Sequence, residues 1–258
     1  MKIVALIENT AAREDLQTEH GLSLYIEAGN RRILFDMGQS ALFGENAEKL
    51  GIDLTKVDTA LVSHGHYDHG GGLEAFLQSN GSAPVYLSKF AFDGHFNAAG
   101  KGIGLEQKLK ENSRLKFVEG ITDLGDGLTL YDAANIRIHN PVADSGMTYV
   151  SDGTAAPEDF RHEQYLLIEE AGKRVLISGC SHKGILDIVE TFRPDVLVGG
   201  FHFFKLPVDD TLTGYGNILD RFETRYYTCH CTGVEQYDHL KQHMRRLNYL
   251  ACGQVLEI

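Results

Sequence analysis

Residues 63–71 constrain the fold of this chain more than any other stretch. They read Ser-His-Gly-His-Tyr-Asp-His-Gly-Gly, which places three imidazoles and one carboxylate within six consecutive positions. The apolar residues 59–62 before this segment predict a short buried strand, and the helical spacing at 73–78 predicts a helix after it. The glycines allow the tight backbone that would bring these side chains together. The sequence therefore predicts a metal site at the C-terminal end of a strand.

The ligand types indicate which ions such a site would hold. Imidazole and carboxylate groups suit Zn, Fe or Mn. The i, i+2 spacing lets His64 and His66 reach one ion, while Asp68 and His69 reach a neighbouring one. We expect two divalent metal ions, with zinc as the first choice and iron or manganese as alternatives, because the same donors accommodate all three.

Three further histidines follow apolar segments and so lie at predicted strand ends, namely His182, His202 and His230. A catalytic site needs more ligands than residues 64–69 can supply, so each is a candidate. An isolated histidine is more often a hydrogen-bonded structural residue. On that balance His230 and His182 are favoured as ligands, and His202 is favoured as structural.

The bulk composition indicates an ordinary folded protein and excludes several partners. The 258 residues are 43% hydrophobic and 23% charged, and we expect a single domain over residues 1–258. The net charge of -12 argues against nucleic-acid binding, which needs clustered lysine and arginine. No apolar stretch reaches the length of a membrane span, and residues 1–7 indicate a strand rather than a signal peptide. We expect a cytoplasmic protein with a small-molecule substrate and no nucleic-acid or membrane partner, while no feature indicates its oligomeric state.

The order of predicted elements repeats in the two halves of the chain, each with strands, a site loop and a helix. This repetition predicts a mixed α/β (α+β) fold. We expect a four-layer αββα sandwich of two mixed sheets with helices outside. The later helices are predicted at 183–191, near 217–222 and at 235–247. The polar residues 140–161 predict a long loop of the kind that often forms a lid.

Motifs in both halves resemble those of the metallo-beta-lactamase superfamily. Residues 64–69 resemble its His-x-His-x-Asp-His signature, and Phe-Asp-Met-Gly at 35–38 resembles its earlier structural aspartate motif. Four further segments resemble the branch that includes the dihydropterin ribofuranosylaminobenzene phosphate synthases: Glu-His-Gly-Leu-Ser at 19–23, Gly-Cys-Ser-His-Lys-Gly-Ile at 179–185, Gly-Gly-Phe-His at 199–202 and His-Cys-Thr-Gly at 230–233. The resemblance spans nearly the whole chain and indicates relatedness rather than a substrate.

The resemblance implies ligands for both ions. It implies a first metal held by His64 and His66, and a second held by Asp68, His69 and His230. His182 is our choice for the remaining first-site ligand. His162 is the alternative, because it precedes the predicted strand at 165–169.

Cys180 stands where the superfamily usually carries a bridging aspartate. It could bind the second metal as a thiolate, or it could be a small buried filler. His20 has no ligand spacing of its own and stays, with His202, a possible metal or substrate contact. Cys229 and Cys231 flank His230 at alternate positions, so on a strand they would point away from its face and pack.

The leading functional hypothesis is a hydrolase that uses two metals to activate water against an ester, lactone or phosphoester of a small metabolite. Asp68 is placed to orient that water or accept its proton, and Tyr67 to donate a hydrogen bond to the substrate. One alternative, implied by the resemblance, is phosphoribosyl transfer to a pterin, with a phosphorylated substrate. Another is a metal-stabilised ligand sensor that has lost the chemistry.

Overall fold

Two seven-stranded sheets face each other in the computed structural model, which describes residues 1–136, 139–140 and 146–258. The first sheet contains, in spatial order, β17 (Val255–Glu257), β1 (Lys2–Ile7), β2 (Ser23–Ala28), β3 (Arg31–Phe35), β4 (Thr59–Leu61), β5 (Val85–Ser88) and β7 (Leu115–Val118). The second contains β16 (Leu247–Tyr249), β15 (Arg225–Thr228), β14 (Val196–Val198), β13 (Lys173–Ile177), β12 (Gln164–Glu170), β9 (Leu128–Asp132) and β8 (Ile121–Gly125). A small third sheet contains β11 (Thr154–Pro157), β10 (Thr148–Ser151) and β6 (Gly94–Phe96).

Each large sheet is antiparallel on one side and parallel on the other. Strands β3, β4, β5 and β7 run parallel in the first sheet, and β13, β14, β15 and β16 do so in the second. Parallel neighbours need long crossover connections, which here contain the helices. The carboxyl ends of β4, β13, β14 and β15 lead directly into the segments that carry the candidate ligands, and β3 leads into Asp36.

Helices cover the outer faces of both sheets. They are α1 (Leu42–Lys49) and α3 (Leu73–Ser79) on the first sheet, and α4 (Ile185–Phe192), α5 (Asp210–Leu219) and α6 (Val234–Leu240) on the second; α2 (Tyr67–Gly70) is a single turn within residues 63–71. Phe43 and Phe76 pack in the first outer core, and Ile188, Leu212 and Leu240 pack in the second. No helix in the described part of the chain is long and apolar enough to cross a membrane. The predicted four-layer αββα sandwich is confirmed.

Strand β1 shows why both faces of the first sheet are buried. Ile3 and Ala5 point into the core between the two sheets, whereas Val4 and Leu6 point into the outer core under α1 and α3. Successive side chains of a strand alternate between its two faces, so a continuous apolar run fills two cores at once.

Two predicted helices differ in position from the observed ones. Helix α5 covers Asp210–Leu219 rather than 217–222, because the carboxylate of Asp209 caps it by accepting the N–H groups of Thr211 and Leu212. Helix α6 ends at Leu240 rather than near 247, since Leu247 already pairs with Tyr226 in the sheet.

The prediction of a long loop at 140–161 is wrong for most of its described part, which contains two strands. Strands β10 and β11 form a hairpin, and β10 also pairs with β6, where Tyr149 lies opposite His95. The turn is Asp152-Gly153, both with positive φ, which is the pattern of a two-residue hairpin turn. Residues 141–145 of the predicted loop lie outside the described residues.

Candidate metal centre

Asp36, directly after β3, orients His69. Its carboxylate is fully buried and accepts the backbone N–H of Ser63 at 2.6 Å, the Ser63 hydroxyl at 2.7 Å and Nδ1–H of His69 at 2.7 Å. Because a carboxylate only accepts hydrogen bonds, His69 carries a proton on Nδ1 and presents Nε2 to the interior. The left-handed backbone of Asp36, with φ of 60°, holds the carboxylate under this loop.

Asn9 orients His230 in the same way. Its side-chain oxygen accepts the backbone N–H of Gly21 at 3.2 Å and Nδ1–H of His230 at 2.9 Å, so His230 also presents Nε2. The Nε2 atoms of His69 and His230 lie only 3.2 Å apart. Two nitrogens that face each other at this distance need a cation between them, either a proton or a metal ion.

Four donor groups converge at this point and are named the second ligand set: Asp68, His69, Cys180 and His230. Nε2 of His69 lies 3.2 Å from Sγ of Cys180 and 3.9 Å from Oδ2 of Asp68, and Nε2 of His230 lies 3.3 Å from the same Oδ2. Zinc bonds of about 2.0–2.3 Å imply donor separations of about 3.3–3.6 Å in a tetrahedron. Three of the four known separations, 3.2, 3.2 and 3.3 Å, lie close to this range, so these atoms could share one metal ion.

The electrostatics of the second ligand set favour a positive charge. Burial lowers the pKa of His69, but the carboxylates of Asp36 and Asp68 outweigh burial and raise that pKa to about 9. Burial raises the pKa of Asp68, yet the neighbouring imidazoles, with His69 first, hold it well below its usual range. Asp68 is therefore an anion at neutral pH, as a metal ligand must be.

Three histidines form a second cluster, named the first ligand set: His64, His66 and His182. Their ligating nitrogens lie within 4.8 Å of one another, and all three side chains are buried. Nδ1–H of His64 donates to the Ser63 hydroxyl at 2.9 Å, which leaves Nε2 as its free donor atom. Burial lowers the pKa of His66 to about 3, so its ring is neutral, the form that binds metals.

The first ligand set has unused hydrogen-bonding capacity. Nε2 of His64, Nε2 of His66 and both nitrogens of His182 have no hydrogen-bond partner in the described chain. A buried polar atom without a partner costs about 1–3 kcal/mol, so three such rings together would be costly in the absence of an occupant. The donor set fits a borderline cation such as zinc.

His162 is tied to the backbone instead of to this set. Its Nδ1 accepts the N–H of Gly65 at 2.8 Å, so the proton of the neutral ring is on Nε2, which faces Glu158 at 3.6 Å. Glu158 also accepts Nδ1–H of His95 at 2.8 Å, and the His95 and His162 rings stack with centroids 3.9 Å apart. These three residues support the ligand loop from behind, although His66, His95, Glu158 and His162 are close enough to form a metal-binding group of their own.

His20 lies beside the second ligand set. Its Nδ1 is 3.3 Å from the Asn9 amide nitrogen, which donates, and its Nε2 is 3.4 Å from Oδ2 of Asp68. With Nδ1 accepting, the proton is on Nε2 and points at Asp68. His20 therefore orients the carboxylate of Asp68.

Cys231 lies in the site, contrary to the prediction that it packs away from it. Strand β15 ends at Thr228, and His230 begins a 3-10 turn, His230–Thr232, with a left-handed φ of 49°. Strand alternation therefore does not apply, and Sγ of Cys231 comes within 4.8 Å of the donor atoms of Cys180 and His202. Cys229 packs in the core between the sheets, as predicted.

Sequence reasoning missed the residues that position the ligands. Glu163 is fully buried and accepts the backbone N–H groups of His182 at 2.8 Å and Lys183 at 3.0 Å, which fixes the second-half loop. Asn9, Glu158 and Glu163 all stand next to predicted or observed strand ends, and a polar residue at the end of an apolar strand is the signal that could have found them.

The two ligand sets border one cavity of about 170 Å³. Asp68, Cys180, His182 and His230 reach it, together with Tyr67, Ile103, Met147, His202 and Phe204. A larger groove, of about 810 Å³, lies beside α1 and α3, but no candidate ligand lines it. The chemistry of the molecule is therefore concentrated in the smaller cavity.

The fold and this centre define a metal-dependent class of proteins, and the comparisons agree. Residues 17–155 match the model of the metallo-beta-lactamase superfamily, and the chain belongs to that superfamily. A solved structure described as a metal-dependent hydrolase of the beta-lactamase superfamily is 32% identical, covers 100% of this chain and 99% of its own, and superposes with a TM-score of 0.86. The predicted resemblance is confirmed.

Two proteins of Methanocaldococcus jannaschii are also similar over most of the chain. One is uncharacterized, 28% identical, with 99% of this chain and 98% of its own covered. The other is 7,8-dihydropterin-6-methyl-4-(beta-D-ribofuranosyl)-aminobenzene-5'-phosphate synthase, 27% identical, with 91% and 88% covered. The proteins similar to this chain therefore include one named as a synthase and one described as a hydrolase.

Proposed function

We propose that this protein is a hydrolase that binds two divalent metal ions, one in the first ligand set and one in the second. The observation that carries the proposal is the contact between Nε2 of His69 and Nε2 of His230 at 3.2 Å, with Cys180 at the same distance from His69. When bound, such ions polarise a carbonyl or phosphoryl oxygen and acidify water. Zinc is the preferred ion, because a thiolate and imidazoles together suit it.

Cys180 takes the place of the bridging aspartate in this proposal. Its Sγ groups with the donor atoms of His64 and His69, which come from different ligand sets, so it lies between the two. Burial raises the pKa of the Cys180 thiol, and a bound cation would be needed to hold it as a thiolate. Its position supports ligation over a filler role.

His182 rather than His162 completes the first ligand set in this proposal. A neutral imidazole has one lone pair available as an acceptor, and that of His162 is already used by the N–H of Gly65. Both nitrogens of His182 are unused. Glu163 holds the backbone of His182 in place for this role.

Asp68 and Tyr67 act on the substrate side. Asp68 reaches the cavity and is held by His20, so it can orient a water molecule or take its proton. Tyr67 lines the same cavity and is 37% exposed, so its hydroxyl can donate a hydrogen bond to a substrate at the mouth. No lysine or arginine lines the cavity in the described part of the chain, which favours a carbonyl ester or lactone over a phosphoester.

The first experiment measures metal per chain by plasma mass spectrometry on protein purified without added metal or chelator. We expect about two equivalents in the wild type and about one in His182→Ala. The matched control is His162→Asn, which keeps an acceptor for the Gly65 N–H and should retain two. Wild-type protein that binds no metal after reconstitution would overturn the proposal. Loss of metal in His162→Asn would show that His162, and not His182, completes the first ligand set.

The second experiment asks which reaction occurs. Metal-loaded protein is incubated with aryl esters, lactones and phosphodiesters, and the products are identified by mass spectrometry. The proposal expects hydrolysis of at least one carboxylic ester or lactone, and its loss in His66→Ala.

The similarity to a synthase supports a second candidate, phosphoribosyl transfer to a pterin. Incubation with a phosphorylated ribose donor and a dihydropterin would yield a new adduct under that candidate. Adduct formation without ester or lactone hydrolysis would replace the first proposal by the second.

A further inference from the structure

We propose that His202 is a catalytic residue that donates a hydrogen bond to the leaving-group oxygen of the substrate. This inference rests on the proposed hydrolase function and adds a residue to it. His202 lines the cavity that both ligand sets border. It belongs to neither set.

The backbone holds His202 in a conformation that few non-glycine residues adopt. Its φ is 55°, in the left-handed region. Two hydrogen bonds fix the loop before it, from Gly200 N–H to the Gly179 carbonyl at 2.8 Å and from Phe201 N–H to the Thr232 hydroxyl at 2.9 Å. Strain of this kind persists where the surrounding structure imposes it, and it clusters at functional sites.

The loop can approach this closely because residues 199 and 200 are glycines. A Cβ on Gly199 would lie 2.2 Å from the Ser178 carbonyl oxygen, and a Cβ on Gly200 would lie 2.4 Å from Sγ of Cys231. The two glycines let the loop cross over the segments that carry Cys180 and Cys231. This path of the loop places His202 at the cavity wall.

His202 stands beside both ligand sets without belonging to either. Its ring centroid lies 4.2 Å from that of His182, on the side of the first set. Its donor atom groups with Cys180 and Cys231, on the side of the second. It is not among the three nitrogens of the first set or the group of His20, Asp68 and His230. Its side chain therefore lines the cavity between the two sets.

The His202 ring has unused capacity. Its Nδ1 is buried and has no hydrogen-bond partner among the described residues. Phe204 packs against the ring edge-on, with centroids 5.4 Å apart, and limits its rotation. The ring also forms a hydrogen bond with the Cys231 side chain, and its edge at the cavity wall is the part that a bound substrate can reach.

Ester hydrolysis needs such a donor. The hydroxyl of water joins the acyl carbon, the carbon–oxygen bond breaks, and its electron pair stays on the leaving oxygen, which gains the second proton of the water. Negative charge therefore develops on the leaving oxygen, and a donor aimed there stabilises the transition state more than the ground state. Loss of one donor of this kind costs about 100- to 1000-fold in rate.

The test compares His202→Ala, His202→Gln and the wild type on carboxylic esters whose alcohols differ in acidity. Metal per chain is measured on the same samples. We expect the same metal content in all three, and a rate that falls about 100-fold in His202→Ala for esters of weakly acidic alcohols but less than about 10-fold for nitrophenyl esters. His202→Gln keeps an N–H donor and should recover part of the loss, as should added imidazole with His202→Ala.

The control variant is His243→Gln, in the turn after α6 and outside the cavity lining. It should match the wild type throughout. Loss of metal in His202→Ala would overturn the inference and make His202 a ligand with Cys180 and Cys231. Equal slowing for all esters, or none, would also overturn it. A wild type that binds no metal, or hydrolyses no ester, refutes the proposed function itself, and that result is seen before any variant is made.

Discussion

Asp36 supports the candidate metal centre without lining its cavity. It bonds Nδ1 of His69 and both polar groups of Ser63, and Ser63 in turn bonds His64. One buried carboxylate thus orients a residue of each ligand set. A group that hydrogen-bonds the ring nitrogen not used for metal binding usually sets the orientation and basicity of a metal-binding histidine.

Replacing Asp36 by Asn should weaken metal binding by about 10- to 100-fold, because an amide oxygen keeps the shape but loses the charge that orients His69. Chelator competition on the purified variant measures this affinity. The control is Glu74→Gln, which removes one carboxylate charge at an exposed ion pair with Lys108 and should leave affinity unchanged. An Asp36→Asn protein with wild-type affinity would show that His69 needs no such support.

The loop between β4 and α2 depends on a close approach to the segment after β5. A Cβ on Gly65 would lie 2.2 Å from the carbonyl oxygen of Ala91, and the Gly65 N–H already bonds His162. The loop therefore has no room to move outward or inward at this position. The sequence motif works only because the neighbouring segment leaves this gap.

Gly65→Ala should destabilise the protein by about 1–3 kcal/mol, since the methyl group forces two backbones apart. It should also reduce metal in the first ligand set, which contains the flanking His64 and His66. Denaturant unfolding and metal analysis measure the two effects. Gly81→Ala is the matched control, because a Cβ added at Gly81 would meet no atom within 4 Å, and its unfolding free energy should change by less than about 0.5 kcal/mol. Equal stability of the two variants would contradict the steric argument.

At the scale of the molecule, the candidate metal centre is built from loops of both sheets. The first sheet supplies the loops with His64, His66, Asp68 and His69, and the second supplies those with Cys180, His182 and His230. An ion in either set would therefore link both halves of the sandwich. Metal binding and folding should be coupled, because the complete sets exist only in the folded chain.

Removal of metal by a chelator should lower the melting temperature by roughly 5–10 °C for each site emptied, since a ligand at about one hundred times its Kd contributes about 2.7 kcal/mol. Thermal unfolding before and after chelation measures this, and added zinc should restore the original value. The double variant His64→Ala, His230→Ala serves as control and should not respond to the chelator. An unchanged melting temperature in the wild type would mean that the centre does not link the sheets.

Local sequence determines most of the strands and most of the candidate ligands of this protein. Alternating and continuous apolar runs predicted the strands of both sheets. Residues 64–69, His182 and His230, predicted from strand ends and ligand types, lie together in the candidate metal centre, because strand ends and ligand types are local properties. The Asp152-Gly153 turn was also readable, although the polar segment around it was interpreted as a loop. Helix ends are harder to predict from local sequence, because the cap at Asp209 sets the start of α5 and the strand pairing of Leu247 limits the end of α6.

The tertiary structure alone decided which nitrogen each histidine offers. From sequence, both His162 and His182 are candidates for the first site. In the structure, the N–H of Gly65 donates to the His162 ring, whereas Glu163 holds the backbone of His182. Cys231 enters the site because His230 takes a left-handed conformation that ends strand alternation. These choices depend on hydrogen bonds between residues far apart in the chain, and a proton on an imidazole is placed by its partner rather than by its neighbours in sequence.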